Sequence, residues 1–377
     1  MPENRIMEEN SRNTIAGELM CPSCAGPLRF NPTKNNLVCE YCQTEVEIPD
    51  SNVKIEEIDY EKYIADTFHN EETRDVAVID CHTCGAETSL PPNVTSGLCP
   101  FCGSSLVMQD ATTRQLMKPR GVLPFKIEQK QAQPIFKKWL GGLWFAPNDL
   151  QNFARQEGKL IGVYIPYWTY DSNTRSSYSG LRGDNYIEYV RQTVTDDQGR
   201  TRTETVPVTR TRWFPVSGQV ALSFDDILVV ASTSLPDEYV YAIEPFDLDQ
   251  MVGFNEKYLS GFRAESYQKN VKEGLVDAKT RMDIFIRDAI RRDIGGDQQQ
   301  ISSVATNHYN ITFKHILLPI WISAYRYNNK VYRFLINGRT GKVSGERPYS
   351  VIKIVLAVIA VLIIIGIFFY FSEAYKM

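Results

Sequence analysis

Eight cysteines fall between positions 21 and 102, and none lies elsewhere in the 377 residues. Cys21 and Cys24 form one CxxC pair, Cys39 and Cys42 a second, and fourteen residues separate the pairs. Cys81, Cys84, Cys99 and Cys102 repeat that frame sixty positions on. Two CxxC turns set four thiolates around one ion, because each turn bends the backbone so that both sulfurs face inward. The frame predicts two structural zinc ions, with all eight cysteines as metal ligands. Tetrahedral sulfur also suits a rubredoxin-type iron, and disulfides would be the use of these cysteines in an oxidising compartment. Four thiolates leave no open position for water, so neither centre is set up for hydrolysis. His82, inside the second frame, reads as a solvent-facing turn residue rather than a further ligand.

Each frame needs a small β scaffold, and apolar residues recur in register for one: Leu28 and Phe30 against Thr88 and Leu90, Val38 against Leu98, Val46 against Leu106. Residues 21–49 and 81–108 therefore read as a duplicated zinc ribbon. Gly103 supplies a turn after Cys102, and Ala25-Gly26 is a looser version after Cys24. Arg29 and Lys34 are the only basic residues of the first ribbon, and the second has none from Cys81 to Gly103. That is poor material for phosphate. Residues 50–80, with ten acidic residues against Lys54, Lys62 and Arg74, read as an acidic solvated linker, with a short helix over 59–68. Residues 1–20 are polar and read as a disordered tail without a secretory signal.

The chain as a whole is 43% hydrophobic and 23% charged, with a formal charge of −4. This excludes a polytopic membrane protein, a collagen-like repeat and a mostly disordered chain, and argues against a protein that coats DNA. The apolar residues concentrate at the C-terminus. From Ile354 to Phe371 eighteen residues carry no charge, which as a helix reach about 27 Å, close to the thickness of a bilayer core. Residues 351–371 are predicted to span a membrane once. Arg339, Lys342, Arg347 and Lys353 precede the span, and Glu373 and Lys376 follow it, so the N-terminal bulk is expected in the cytoplasm and residues 372–377 outside. In that reducing compartment the cysteines hold metal rather than disulfides.

Between ribbons and span, residues 120–347 read as a β-rich α+β domain. Strands are expected over 162–170, 186–195, 201–212, 227–231, 308–313, 315–326, 330–336 and 342–344, with helices over 132–140, 148–157 and 264–294. The last carries the stripe Tyr267, Val271, Leu275, Ala278, Met282, Phe285 and Ala289. Two strands share a Pro-x-Trp core, Pro166 to Trp168 and Pro319 to Trp321, a mark of internal duplication or a coincidence of two aromatic strands. Walker A, HExxH, GxSxG and GxGxxG motifs are absent. The four histidines, His69, His82, His308 and His315, are scattered, and no cysteine is left as a nucleophile. The chain therefore reads as no enzyme; a hydrolase would require a cleft of paired carboxylates assembled by the fold. Arg114 to Lys138 carries seven basic residues against Glu128, either a solvated connector or a patch for anionic headgroups.

These features together resemble a bacterial family of tail-anchored zinc-ribbon membrane proteins of the YdjG type, often labelled TFIIB-type zinc ribbon or helicase-like. The residues that carry the resemblance are the two ribbons, GVYIPYWTYD at Gly162 to Asp171, LLPIWISAY at Leu317 to Tyr325, FLINGRTGKVSGE at Phe334 to Glu346, and the closing span. The missing nucleotide-binding motif speaks against helicase activity. The resemblance implies a membrane complex with a related anchored subunit, near SPFH-domain or phage-shock-type envelope-stress proteins. The expected function is that of an adaptor recruiting proteins at the cytosolic face of the membrane. The alternative is a membrane-tethered nucleic-acid binder that uses the ribbons.

Overall fold

The computed structural model describes residues 14–15, 18–49, 55–65, 72–89, 96–107, 111–147, 150, 160–195, 199, 201–328 and 330–374. Among these the chain is α+β and strand-rich. A hairpin of β1 (Thr14–Ile15) and β2 (Glu18–Leu19) leads into the first ribbon, β3 (Leu28–Asn31), β4 (Asn36–Cys39) and β5 (Glu45–Val46). After β6 (Ile58–Asp59) and helix α1 (Tyr60–Ala65) comes β7 (Thr73–Asp80), which sits between β8 (Glu87–Thr88) and β11 (Ala111–Met117). The pair β9 (Ser96–Leu98) and β10 (Ser105–Val107) completes the second ribbon. Then follow β12 (Gly121–Val122) and α2 (Gln129–Gly141).

Three long strands organise the rest: β13 (Ile161–Thr195), β14 (Thr201–Val230) and, after α3 (Asp237–Ala242), β15 (Val252–Gly253), β16 (Arg263–Ala264) and α4 (Val271–Ile294), the strand β17 (Gln298–Tyr327). They lie in the order β14-β13-β17-β12-β15, with β18 (Lys330–Asn337) paired to β17 and β19 (Val343–Gly345) paired to β18. Helix α5 (Val351–Ala374) ends the described chain.

The sequence predicts separate strands where β13 is one continuous strand of 35 residues. Its middle, DSNTRSSYSGLRGD, is poor in strand-forming residues, but Ser172, Thr174, Ser176 and Tyr178 are buried on the face that α4 covers. Tertiary burial overrides propensity there. Register shifts at Asp171 and between Ser179 and Gly180 bend the strand without ending it.

Alternation along β13 and β17 separates two cores. Val163, Ile165, Tyr167, Ile316, Leu318, Ile320 and Ile322 face one core, which also contains Cys81, Cys99, Phe101 and Cys102 of the second ribbon. Tyr164, Leu317 and Trp321 face the opposite side, with Cys21, Leu28, Phe30 and Cys39 of the first ribbon and Phe136 of α2. The two ribbons thus dock on opposite faces of one sheet.

Several sequence expectations change. Residues 50–80 do more than link: β6 pairs with β17, Tyr63 of α1 packs edge-on against Phe313 with ring centroids 5.0 Å apart, and β7 pairs with β11 over seven residues. Buried Val78 and Ile79 on β7 are the apolar signal that the acidic composition hid. Within 1–20, β1 and β2 are ordered strands, and the other residues up to position 13 lie outside the described ones. Helix α4 starts at Val271 rather than 264, because the Asn270 side chain accepts from the Lys272 and Glu273 amides and the Glu273 carboxylate accepts from the Asn270 amide. Its buried stripe ends on Ile286, Ile290 and Ile294 while Phe285 is exposed. Gly274 in this helix allows the close approach of the sheet, since a Cβ would stand 2.4 Å from Tyr170 Oη. The helix expected over 148–157 lies almost wholly outside the described residues.

Candidate metal centres

Each ribbon is built from two knuckles that share one backbone pattern. In all four, the amide of the first cysteine donates to the carbonyl five residues on, and the amide four residues on donates back: Cys21 with Ala25 and Gly26, Cys39 with Gln43 and Thr44, Cys81 with Gly85 and Ala86, Cys99 with Gly103 and Ser104. The residue after the second cysteine adopts positive φ in every case, 56° at Ala25, 61° at Gln43, 73° at Gly85 and 75° at Gly103. The second ribbon fills that position with glycine, and the first accepts the left-handed conformation with side chains present. Gly26 has a different role: a Cβ there would lie 2.7 Å from the Tyr41 ring and 3.4 Å from Cys24 and Cys39 Sγ.

The knuckles bring the sulfurs together. Cys21 and Cys42 Sγ are 3.5 Å apart, as are Cys24 and Cys39, and in the second ribbon Cys81–Cys102 is 3.5 Å and Cys84–Cys99 3.7 Å. Each group of four lies within 4.8 Å. Sulfurs about 2.3 Å from a tetrahedral zinc stand about 3.8 Å apart, and a disulfide requires about 2.05 Å. All eight are free thiols at ligand spacing, and the two groups contain no histidine or carboxylate. The cysteine sets predicted from sequence are the sets the fold assembles. His82 stands outside them.

Hydroxyls support the sulfurs. Thr44 Oγ1 is 3.0 Å from Cys42 Sγ, and Ser104 Oγ is 2.9 Å from Cys102 Sγ and 3.1 Å from Cys81 Sγ. Sequence reading passed over both, although they sit sixty positions apart at the same place in the repeat. The Thr44 hydroxyl, helped by the Thr44 amide, pulls the Cys42 thiol down to about 6. The hydrogen bond with Cys99 brings Cys84 down to about 5, and the same bond, with burial, pushes Cys99 up. Each group holds a thiol ready to ionise beside one that resists ionising, the charge problem a cation solves. Cys24 and Cys42 are exposed, whereas Cys81, Cys99 and Cys102 are buried.

The ribbons are fixed to the sheet by different contacts. Phe30 packs on Tyr258 with centroids 5.2 Å apart, and the Ser260 hydroxyl donates to Leu28 O at 2.6 Å. In the second ribbon, buried Phe101 accepts from Arg333 Nε through its carbonyl at 2.7 Å. Arg114 joins Asp80 at 2.9 Å and Glu87 at 2.7 Å, and Lys118 joins Glu72 at 2.8 Å. Arg114 and Lys118, at the front of the basic run, are thus engaged by Asp80 and Glu72 of the acidic segment and by Glu87 of the second ribbon. The basic residues of the first ribbon are also paired, Arg29 with Glu40 at 3.0 Å and Lys34 with Glu45.

One carboxylate group does form elsewhere: Glu57, Asp171 and Asp225 lie within 4.8 Å of one another. Burial and a hydrogen bond shared with Glu57 push Asp171 up to about 7. Burial raises Glu57 too, but hydrogen bonds from Asp171, Thr312 and Lys314 outweigh it and bring Glu57 to about 2. Buried Lys314 lies 3.1 Å from Glu57 and 2.8 Å from Asp226, supplying the cation that balances the group. His308 Nδ1 is 3.4 Å from Ser172 Oγ. His315 is fully buried between Trp168 and Tyr267, and burial takes it down to about 3. His69 is outside the described residues.

No family model matches the chain, and no solved structure does. Over 338 residues, 88% of this chain and 89% of the relative, it is 27% identical to a Bacillus subtilis (strain 168) protein named "Uncharacterized protein YdjG".

Proposed function

We propose that the protein is a membrane-anchored zinc-ribbon adaptor that assembles protein partners at the cytosolic face of the bacterial membrane, with no catalytic role of its own. The anchor in this reading is α5, whose residues 351–371 are apolar, long enough to cross a bilayer and nowhere buried against the domain. The eight cysteines hold two zinc ions, which cross-link the knuckles and leave no ligand position for substrate.

The observation that carries the adaptor reading is an arm. Beyond the pair Gly183 and Gln298, β17 no longer accompanies β13, and Asp184 to Thr195 pairs only with Thr201 to Arg212. At 3.3 Å per residue this hairpin extends about 40 Å. Two strands alone are marginal in water, yet Tyr186, Ile187 and Tyr189 are exposed along it and Trp213 and Phe214 at its root. Such a surface fits a protein that lays its own apolar residues on the arm. The envelope-stress setting and a related anchored subunit belong to the same proposal.

Nucleic-acid binding is the reading against which this one is tested. Full-length protein in detergent should show no salt-sensitive affinity for single- or double-stranded DNA, and should co-purify from membranes with a stoichiometric protein partner. DNA binding whose affinity falls steeply with salt, without such a partner, would overturn the adaptor reading.

A further inference from the structure

Helix α5 is tied to the domain at its first turn. The Ser350 amide donates to Phe145 O at 2.7 Å, and Lys353 Nζ donates to Trp144 O at 3.1 Å and Ala146 O at 2.7 Å. These bonds hold the turn after α2 at the level where the apolar helix begins. Three rings stand exposed there: Trp144 at 81%, Tyr349 at 57% and Phe145 at 42%. Exposed indole and phenol rings at one level are costly in water and favourable where one end meets apolar chains and the other meets headgroups.

Basic groups stand around them. Lys137 and Lys138 end α2 and are exposed, and the Arg347 guanidinium lies 5.2 Å from the Tyr349 ring. The neighbouring acid, Glu346, is turned inward, accepting from the Arg333 amide at 3.2 Å. Between the turn and α5 opens a cleft of about 260 Å³ bordered by Leu140, Leu143, Trp144, Leu150 and Lys353. Arg114 and Lys118, at the front of the basic run, are engaged by Asp80, Glu87 and Glu72. Lys137 and Lys138, in its rear half, stand in the last turns of α2, one turn before Leu140 and Gly141, which border the cleft shared with Lys353.

We infer that this base is a second, interfacial membrane contact: the end of α2, its following turn and Arg347 to Tyr349 rest on the anionic phospholipid headgroups of the leaflet that α5 enters. Trp144 and Phe145 reach the boundary with the acyl chains, and Lys137, Lys138 and Arg347 meet the phosphates. The contact fixes the tilt of the domain over the membrane, and with it the direction of the arm. It rests on the reading of α5 as a membrane span.

The test uses the full chain in nanodiscs of phosphatidylcholine and phosphatidylglycerol, with one lipid or the other dibrominated, and tryptophan fluorescence as readout. Co-elution with the disc tests the anchor itself. Within co-eluting protein, brominated phosphatidylglycerol should quench more than brominated phosphatidylcholine at equal fraction. Trp144→Phe should remove most of that quenching, and Trp213→Phe on the arm should leave it intact. Removing one basic residue near an anionic surface weakens attraction about fivefold, so Lys137→Gln with Lys138→Gln should bring the two lipids close to parity. Equal quenching by both lipids in the unaltered protein, or quenching unchanged by Trp144→Phe, would overturn the interfacial contact while leaving the anchor standing. Failure to co-elute would overturn both.

Discussion

Ile165 lies directly opposite Leu318 in the antiparallel pair at the centre of the sheet. Each opens a Pro-x-Trp phrase, and the two segments are related by a local two-fold axis, Trp168 opposite His315 and Trp321 opposite Gly162. Both indoles donate 2.9 Å hydrogen bonds to backbone carbonyls, Trp168 to Lys269 and Trp321 to Ile127. The phrases are paired structurally, each tying one flanking segment to the sheet.

That pairing sets equal roles for the two rings. Trp168→Phe and Trp321→Phe each leave a carbonyl without its donor and should each lower unfolding free energy by about 1–3 kcal/mol, whereas Trp168→Ala, at a fully buried site, should cost about 3–5 kcal/mol. Denaturant unfolding of the full chain in detergent measures all three. A phenylalanine variant indistinguishable from the parent at either site would contradict the tie.

The four knuckles give a cleaner comparison. A Cβ added at Gly85 or Gly103 would meet no atom within 4 Å, so the cost lies in the backbone alone. Gly85→Ala and Gly103→Ala should each destabilise the second ribbon by about 1–2 kcal/mol, and Ala25→Gly should stabilise the first by up to about 1 kcal/mol. The midpoint of metal release against a competing chelator reports both directions.

Metal content should be two zinc ions per chain by elemental analysis, without the visible absorption of an iron–thiolate centre. Cys24→Ser and Cys84→Ser should each retain one. Because Cys24 and Cys42 are exposed, the first centre should release its ion to chelator sooner. Loss of the second should lower thermal stability more, since it uncovers Phe101 and the sheet face beneath it.

Glu265 is buried, its Oε1 accepting from the Ser232 hydroxyl at 2.7 Å and from the Ser234 hydroxyl, while Oε2 has no partner. Burial pushes its carboxyl up to about 8, against the lowering effect of the two serines. The folded state then keeps a proton that the unfolded chain releases near 4.5, so stability falls as pH rises from there to about 8, at about 1.4 kcal/mol per pH unit. Glu265→Gln carries no such proton. Its stability relative to the parent should climb across that window and level off above it, and a difference independent of pH would contradict a buried protonated carboxyl.

The cysteine sets and the apolar helix were legible because spacing and run length are local properties. The fusion of ribbons and sheet was not, because it depends on contacts such as Phe30 with Tyr258 and Arg333 with Phe101, more than two hundred residues apart. The acidic composition of 50–80 concealed β7, whose inward residues Val78 and Ile79 are too few to stand out. The serine-rich middle of β13 gave no strand signal because the α4 stripe that buries it lies about a hundred residues downstream. Thr44 and Ser104 carried a signal in their sixty-residue offset, visible once the knuckle is known to place a hydroxyl beside sulfur.

The adaptor reading turns on the arm, and the direct measurement is site-specific photo-crosslinking in intact membranes from a probe at Tyr189, with one at the exposed Lys272 of α4 as reference. A discrete heterologous protein adduct should form from position 189 and disappear with Ile187→Asp, while metal content and membrane association stay unchanged. No adduct from 189, or one that forms equally from 272 and survives Ile187→Asp, would contradict it.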